Sequence, residues 1–229
     1  NSFLCGEYNE EISALFSCGG GELMCEILDD VDFDKIKKSK PVWFLGYSDN
    51  TNLTFLLPTI CDITAIYSPC APAYGMEPWH PSLKDTFELL TGKSNMAHGY
   101  DKWEKESLKN EENPLVPYNV TKKTEIKKFG AGKDDAKTEI SGRLIGGCLD
   151  CLSNLAGTKF DKVSDFNEKY KEDGIIWFME SCDLNPMAIR RAIWQLDHAG
   201  WFKYVKGFLI GRPLCLDEEI LGVDRYNAV

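Results

Sequence analysis

Short apolar runs, each followed by a turn, mark the first third of the chain. Residues 12–17 and 42–45 are strand-sized apolar runs, and each is followed by a glycine-containing turn and a stretch with helical spacing of its apolar residues. A third run at 63–67 ends in a proline-rich segment. Successive strand–turn–helix units favour a parallel sheet with helices on its faces. The pattern therefore predicts an α/β fold, with a flavodoxin-like or Rossmann-like sheet in the N-terminal part.

The pattern changes in the middle of the chain and recovers towards its end. Between residues 79 and 139 the sequence is polar and rich in Lys, Glu, Asn and Gly, with one helical stretch at 83–90. Apolar order returns at Ile140 and includes a helix-like stretch at 149–155 and a strand at 175–179. This recovery predicts a second, smaller α/β domain in the C-terminal part.

The final elements and the change in composition set the predicted domain boundaries. Helical spacing of apolar residues predicts a helix over 188–200, and the last apolar run predicts a strand at 207–211. We therefore predict an N-terminal domain over 1–75, a polar connecting and substrate loop region over 76–137, and a C-terminal domain over 138–229.

The composition narrows the class of partner. Acidic residues outnumber basic ones by 36 to 26, and the resulting net charge of -10 would repel the phosphates of a nucleic acid. The longest apolar runs fall short of the ~18–20 residues that a membrane-spanning helix needs. The 9 cysteines are scattered without the dense spacing of a disulfide scaffold. We therefore expect reduced thiols in a cytoplasmic protein that binds neither nucleic acid nor membrane.

A serine follows the second apolar run, in the motif Gly-Tyr-Ser-Asp at 46–49. Ser48 lies between a predicted strand and a predicted helix, which is the setting of the nucleophile elbow in hydrolases. The N–H of Asp49 at the helix start would stabilise an oxyanion beside Ser48. Ser-Asp-Asn-Thr is also a helix-capping sequence, so Ser48 has a structural interpretation as an N-cap. The local pattern leaves both interpretations open.

Three further features lie near predicted strand ends. The glycine run at 19–21 could donate to an oxyanion, cradle a phosphate or form a turn, and it lacks the pattern of a P-loop or a dinucleotide fingerprint. Glu180 follows the strand at 175–179, where its carboxylate could orient a histidine or cap the next helix. Cys148 and Cys151 form a single Cys-x-x-Cys pair, which indicates buried thiols and no zinc site.

Taken in order, these features resemble the LD-carboxypeptidase family of serine peptidases and its microcin-immunity branch. The features are a Gly-Gly turn after a strand, the Gly-Tyr-Ser-Asp motif at 46–49, Gly-Arg-Leu-Ile-Gly-Gly at 142–147 and Phe-Met-Glu at 178–180. Members of the family remove a terminal D-amino acid from muropeptides. The resemblance covers most of residues 12–211, and its strongest segment is 33–53.

The resemblance implies a role for five residues. Ser48 is the nucleophile and Glu180 is the carboxylate of a Ser-Glu-His triad, while the backbone of Asp49 and the glycine turn at Gly20 form the oxyanion hole. The polar insertion over 79–137 is similar to that of the microcin-immunity branch. In that branch an aromatic residue of the loop contacts the base of the substrate, and Trp103 is the counterpart of that aromatic residue here. The resemblance also implies a homodimer, a small peptide or muropeptide substrate, and no metal or cofactor.

Two departures from the family pattern bear on function. Relatives often carry an asparagine where this chain has Cys148, which affects any binding role at that position. The family histidine follows a strand beyond 207–211, and no histidine of this chain matches that place; the three that it has are His80, His98 and His198. We therefore expect that the chain is truncated at both ends or has lost its general base.

Two classes of function follow from these features. The first is a serine peptidase, an LD-carboxypeptidase that acts on muropeptides in peptidoglycan recycling or, as the alternative, a microcin-immunity type hydrolase of aminoacyl or peptidyl nucleotide amides. The second is a catalytically inactive homologue that binds a peptide or a peptidoglycan fragment. Because a serine hydroxyl needs an adjacent base, we expect these 229 residues alone to show no peptidase activity.

Overall fold

The computed structural model describes residues 12–130, 133–134, 138–214 and 217–229. The α-helices and β-strands of these residues are, in chain order, β1 (Ala14–Phe16), α1 (Phe33–Lys38), β2 (Trp43–Gly46), α2 (Thr51–Thr54), β3 (Ile66–Tyr67), α3 (Pro81–Leu90), β4 (Lys102–Glu104), β5 (Val120–Lys123), β6 (Arg143–Cys148), α4 (Leu149–Leu155), α5 (Val163–Lys169), β7 (Ile175–Glu180), α6 (Pro186–His198) and β8 (Val205–Ile210). Shorter elements are the 3₁₀ turns Met24–Asp30, Ser48–Asn50 and Ala71–Gly75 and the π-helical turn Leu57–Cys61.

The described residues divide into two compact units. The larger unit is formed from Asn1–Tyr67 together with Ile140–Val229, and the smaller unit is Ser68–Glu139. The outer parts of the chain therefore belong to one unit in the structure. The three-part division predicted from composition stays a prediction.

Two parallel three-stranded sheets form the framework of the larger unit. The first has the order β1–β2–β3, and Leu45 in its middle strand pairs with Phe16 on one side and Ile66 on the other. The second has the order β6–β7–β8, and Cys148 at the end of β6 pairs with Glu180 at the end of β7. The predicted α/β class, with parallel sheets and flanking helices in the N-terminal and C-terminal parts, is confirmed.

Side-chain caps fix where two helices of this unit begin. The Asp32 side chain accepts a hydrogen bond from the Lys35 N–H at 2.9 Å before α1. Before α6, the Asn185 side chain accepts from the Ala188 N–H at 2.9 Å, and the helix then starts with Pro186. Gly200 follows α6 with a φ of 77°, the left-handed conformation that glycine favours after a helix end.

Aromatic side chains occupy the centre of the larger unit. Phe55, which follows α2, packs against Trp177 of β7 and Trp201, with ring centroids 5.8 and 5.2 Å away. The three rings are nearly inaccessible to solvent. Because these rings come from the N-terminal and C-terminal parts of the sequence, their burial joins the two parts in one core.

The smaller unit contains α3 and the antiparallel pair β4–β5, in which Trp103 lies opposite Lys122. Asp85 of α3 accepts hydrogen bonds from the backbone N–H of His98 at 3.0 Å, its imidazole at 2.9 Å and the Tyr100 hydroxyl at 2.5 Å. These bonds, that of Tyr100 first, lower the pKa of Asp85 to about 2. The sequence pattern predicts the helix but neither strand, because the strands lack apolar alternation.

No helix of the described residues combines the length and the apolar character that crossing a membrane requires.

Candidate active site

The nucleophile candidate lies at a sharp strand-to-helix turn. Strand β2 ends at Gly46, and Ser48 opens the 3₁₀ turn that leads into α2. Ser48 has a φ of 61°, a left-handed conformation that residues other than glycine seldom adopt and that is concentrated at functional sites. A serine held in a strained conformation between a strand and a helix has the geometry of a nucleophile elbow.

Helix capping does not account for Ser48. The N-cap of the 3₁₀ turn is Tyr47 and that of α2 is Asn50, and neither segment has a side-chain cap hydrogen bond. The Asn50 amide is used differently, because it donates to the carbonyls of Gly19 at 2.7 Å and Tyr47 at 3.0 Å. Asn50 therefore ties the elbow to the glycine run that follows β1.

The glycine run packs directly against the elbow. A Cβ added at Gly20 would lie 3.3 Å from both Cβ and Oγ of Ser48, and one added at Gly21 would lie 2.9 Å from Oδ2 of Asp49. Such distances leave little room for a side chain, and a Cβ at Gly20 would displace Ser48 by a few tenths of an ångström. The structure thus brings together three of the residues singled out from the sequence, Ser48, Asp49 and Gly20.

The Asp49 carboxylate is a buried acceptor that holds the turn. Its Oδ2 accepts from the Met24 N–H at 3.0 Å, and its Oδ1 accepts from the Asn52 amide at 2.9 Å. The Cys151 thiol lies 3.9 Å from the same Oδ1. Because both carboxylate oxygens are engaged, the chemistry expected of Asp49 is limited to its backbone N–H.

Tyr67 connects the elbow to the carboxylate candidate. Its hydroxyl oxygen accepts a hydrogen bond from the Ser48 N–H at 2.8 Å, and the hydroxyl donates to Oε1 of Glu180 at 2.5 Å. Burial first, and then the charge of Glu180, raise the pKa of the Tyr67 phenol, so the hydroxyl keeps its proton. Ser48 and Glu180, which are 132 positions apart in the sequence, are thereby joined through one side chain.

Glu180 lies at the carboxyl end of β7, on a loop that Asp150 fixes. The Asp150 carboxylate accepts from the N–H groups of Cys182 at 3.2 Å and Asp183 at 2.9 Å. The alternative that Glu180 caps α6 does not hold, because Asn185 makes the capping hydrogen bond. Its carboxylate is instead half-buried and bound to Tyr67.

A backbone contact joins the elbow helix to the second sheet. Thr51, fully buried at the start of α2, accepts a hydrogen bond on Oγ1 from the Cys148 N–H at 2.9 Å. A Cβ at Gly147 would come within 2.6 Å of the Thr51 side chain, and Gly147 has a φ of 152°. Glycine at 147 therefore lets the end of β6 approach α2 closely enough for this bond.

The two cysteines of the Cys-x-x-Cys pair adjoin the same region. A hydrogen bond with Cys151, followed by burial, raises the pKa of the Cys148 thiol. The Cys151 thiol lies 3.7 Å from the Ser48 carbonyl oxygen. The part of the chain that the structure describes holds no group of three or more His, Cys, Asp or Glu side chains arranged for a metal ion.

Trp103 and two of the three histidines belong to the smaller unit. The Trp103 indole N–H donates to the Lys123 carbonyl at 3.2 Å across the β4–β5 pair. His80 is the N-cap of α3, and its Nδ1 accepts a hydrogen bond from the Ser82 N–H at 3.2 Å. Burial lowers the pKa of His80. His98 is the histidine bound to Asp85. The substrate-contact role of Trp103 stays a prediction.

His198, the histidine of the larger unit, lies at the end of α6. Its Nδ1–H donates to the Trp194 carbonyl at 2.8 Å, and its ring stacks on the Trp194 ring at 4.1 Å between centroids. Both side chains are exposed. These local contacts indicate a structural role for His198 at the end of α6.

Sequence reasoning missed Tyr67 and Thr51. Tyr67 ends the third apolar run, and the carboxyl ends of parallel strands are where such sheets place functional groups, so this position carried a usable signal. Thr51 carried none, since its role depends on the approach of β6 from the distant part of the chain.

Two family models match this chain. The N-terminal domain of LD-carboxypeptidase matches residues 7–68, and the C-terminal domain of LD-carboxypeptidase matches residues 141–226. Both models describe domains of a family of serine hydrolases, and the residues that they match include Ser48 and Glu180. The chain belongs to the LD-carboxypeptidase family, as its sequence features predict.

Solved structures agree on the fold. The wild-type apo microcin C7 self immunity protein MccF matches with a TM-score of 0.74 at 22% identity, over 100% of this chain and 65% of that one. An MccF-like protein from Streptococcus pneumoniae in complex with AMP matches with a TM-score of 0.70 at 20% identity, over 94% and 65%. Muramoyltetrapeptide carboxypeptidase from Oxalobacter formigenes matches with a TM-score of 0.58 at 21% identity, over 90% and 57%.

The chain thus spans 65% of the length of the MccF structures that it matches. At these identities the likeness shows the fold. No curated protein sequence matches the chain at a significant level.

Proposed function

We propose that this chain carries the nucleophile and the triad carboxylate of a serine peptidase that hydrolyses an amide bond. The observation that carries the proposal is the left-handed backbone of Ser48 at a strand-to-helix turn, packed against Gly20. The hydrogen bonds from Ser48 through Tyr67 to Glu180 support the same assignment, because they fix the carboxylate beside the elbow.

The chemistry assigned to the site is acyl transfer. Oγ of Ser48 attacks the substrate carbonyl and gives its proton to a histidine, which then protonates the leaving amine as the C–N bond breaks. Water hydrolyses the acyl-enzyme and restores the hydroxyl. Glu180 orients the histidine, and the backbone N–H of Asp49, with the turn at Gly20, stabilises the oxyanion. Since Tyr67 occupies Oε1 of Glu180, we assign Oε2 to the histidine.

None of the three histidines of this chain is assigned as the general base. The imidazoles of His80, His98 and His198 are each engaged in local contacts with Ser82, Asp85 and Trp194 respectively. We therefore expect the 229 residues alone to hydrolyse neither class of candidate substrate. Loss of a triad member leaves only about 10³–10⁴-fold acceleration over water in the subtilisin example.

Muropeptides are the first candidate substrates, because both halves of the chain match LD-carboxypeptidase domains. Aminoacyl nucleotide amides are the second, and the polar insertion with Trp103 favours them. MccF itself, which shares this fold, has been solved in complex with aspartyl sulfamoyl adenosine. We also propose that the protein is cytoplasmic and forms a homodimer. Sedimentation equilibrium tests the oligomeric state.

The nucleophile is tested with a fluorophosphonate probe, which phosphonylates activated serines, in the presence of free imidazole as a substitute base. We expect imidazole to accelerate labelling of the 229-residue protein and Ser48→Ala to abolish that labelling. Ser153→Ala is the control, because Ser153 is a half-buried helical serine of the same unit whose hydroxyl donates to the Asp150 carbonyl. Labelling that survives Ser48→Ala would remove Ser48 from the mechanism.

The substrate class is tested by calorimetric binding of an L,D-tetrapeptide and of aspartyl sulfamoyl adenosine to the same protein. Tighter binding of the tetrapeptide supports the LD-carboxypeptidase, and tighter binding of the nucleotide analogue supports the second candidate. Binding of a ligand without any imidazole-dependent labelling of Ser48 would favour a catalytically inactive binding homologue.

A further inference from the structure

Tyr67 lies between the two candidate triad residues that this chain contains. It is the last residue of β3, and its hydroxyl contacts the backbone of Ser48 in one direction and the carboxylate of Glu180 in the other. We propose that Tyr67 is a positioning residue, which clamps the nucleophile elbow and fixes the orientation of the Glu180 carboxylate. This inference rests on the proposed function, in which Ser48 and Glu180 act together.

The direction of the hydrogen bonds is determined by chemistry. The Ser48 N–H can only donate, so the Tyr67 oxygen is its acceptor at 2.8 Å. The single proton of the phenol is then directed to Oε1 of Glu180 at 2.5 Å, which must accept it as a carboxylate oxygen. These two hydrogen bonds form a relay, Ser48 N–H to Tyr67 hydroxyl to Glu180 carboxylate, in which the carboxylate is the final acceptor.

The relay acts on the backbone of the nucleophile. Ser48 has a φ of 61°, and a conformation of this kind persists only when surrounding contacts determine it. The bond to Tyr67 is a contact of that kind, since it engages the N–H of the strained residue itself. It also takes the Ser48 N–H out of use as an oxyanion donor, which leaves this role to the N–H of Asp49.

The relay acts equally on the carboxylate. With Oε1 bound to Tyr67, rotation of the Glu180 carboxylate would break a short, charge-assisted hydrogen bond. The Tyr67 ring is held in turn by Phe178 of β7, with centroids 5.4 Å apart. Tyr67 therefore couples the first sheet, which carries Ser48, to the strand of the second sheet that carries Glu180.

The test compares two tyrosine-to-phenylalanine variants of the 229-residue protein. Tyr67→Phe removes only the bridging hydroxyl, and Tyr170→Phe removes a hydroxyl that donates to the Asp62 carboxylate. We expect Tyr67→Phe to slow imidazole-dependent labelling of Ser48 by about tenfold or more, because the variant loses the hydrogen bonds to both Ser48 and Glu180. Tyr170→Phe should label at the wild-type rate. An equal rate in Tyr67→Phe and wild type, with both folded, would overturn the inference.

A spectroscopic readout separates positioning from packing. We expect the Tyr67 phenol, followed by ¹³Cζ NMR, to remain protonated above pH 10 in the wild type, because burial and the charge of Glu180 raise its pKa. Glu180→Gln removes that charge, so the pKa of Tyr67 should fall in this variant. The hydrogen bond to a carboxylate also sets the ¹³Cζ chemical shift of Tyr67 at neutral pH, so an unchanged chemical shift in Glu180→Gln would show that the Tyr67–Glu180 bond is absent. This experiment decides the matter even if Tyr67→Phe does not fold.

The outcomes distinguish this inference from the function on which it rests. Labelling that survives Ser48→Ala, or no labelling in the wild type, contradicts the proposed function, and the positioning role falls with it. Labelling that depends on Ser48 but is insensitive to Tyr67→Phe contradicts the positioning role alone.

Discussion

The two parallel sheets of the larger unit are built differently. The strands β1, β2 and β3 have three, four and two residues, whereas β6, β7 and β8 have six each. The short sheet leads into a run of buried polar residues between Asp49 and Thr54, and the long sheet contributes Trp177 to an aromatic core. A short ladder provides few backbone bonds, so side-chain hydrogen bonds must hold the end that carries Ser48.

The difference between the two sheets separates the residues that stabilise the fold from those that position the candidate site. Apolar burial against the long sheet stabilises the unit in proportion to the area removed from water. The polar network at the end of the short sheet fixes the strained backbone of Ser48 and its link to Glu180. Substitutions in the two regions should therefore have effects of different kinds.

The largest expected effect is on the long sheet. Trp177→Ala should lower the free energy of unfolding by about 3–5 kcal/mol, because it leaves a cavity among Phe55 and Trp201. Urea denaturation measures the change. Trp177→Phe should cost much less, since it keeps an aromatic ring and removes an indole N–H that has no acceptor in the described structure. Equal losses of unfolding free energy in Trp177→Ala and Trp177→Phe would contradict the claim that packing of the aromatic ring stabilises this core.

The connection between the sheets should be next in magnitude. Thr51→Val keeps the shape of the side chain and removes the acceptor of the buried Cys148 N–H, at a cost of about 1–3 kcal/mol. Thr54→Val is the matched control, because Thr54 is also buried and its hydroxyl donates only to the Asn50 carbonyl one turn away. If the two variants lose the same free energy of unfolding, the hydrogen bond from the Cys148 N–H to Thr51 does not contribute the expected stability.

A smaller effect, confined to reactivity, is expected at the glycine run. Gly20→Ala would place a Cβ 3.3 Å from Oγ of Ser48, so labelling of Ser48 should slow by roughly threefold to tenfold as the hydroxyl is displaced by a few tenths of an ångström. Gly19→Ala, whose Cβ meets nothing within 4 Å, should leave the rate unchanged. Melting temperatures of both variants should stay close to that of the wild type, and a large drop would indicate a folding defect.

The smallest effect is expected at the surface. Burial alone would raise the pKa of Asp62, but hydrogen bonds from Lys169 and Tyr170 outweigh it and lower the pKa. A carboxyl with a lowered pKa stabilises the fold above its unfolded pKa, near 3.8, and loses this contribution as the pH falls through its folded pKa. Asp62→Asn should therefore destabilise the protein near neutral pH by less than about 1 kcal/mol, as for exposed ion pairs.

The pH dependence provides the check on Asp62. Denaturation of wild type and Asp62→Asn at several pH values should show a difference at pH 7 that disappears towards pH 2. A difference that is independent of pH would mean that the charge of Asp62 makes no contribution.

The parts of the fold that local pattern encodes were predictable. The apolar run before Gly46, the helix at 149–155 and the strand ending at Glu180 follow from periodicity, and the family follows from the motifs placed on them. The β4–β5 pair was not predictable, because its polar strands are defined by the partner across the hairpin and by no period of their own.

The candidate site was predictable only in part for a related reason. Ser48 and Glu180 each follow an apolar strand, so their positions carry a local signal. The bridging role of Tyr67 depends on the pairing of Tyr67 with Gly46 and on the approach of β7, which the sequence does not display. That Ser48 is not an N-cap likewise became evident only from its backbone conformation.

The measurement that tests the role of Ser48 most directly is tandem mass spectrometry of the fluorophosphonate adduct formed in the presence of imidazole. Peptide mapping should locate the phosphonyl group on Ser48 and on no other serine of the chain. An adduct on a different serine, or an equal yield of adduct in Ser48→Ala, would contradict the assignment of Ser48 as the nucleophile.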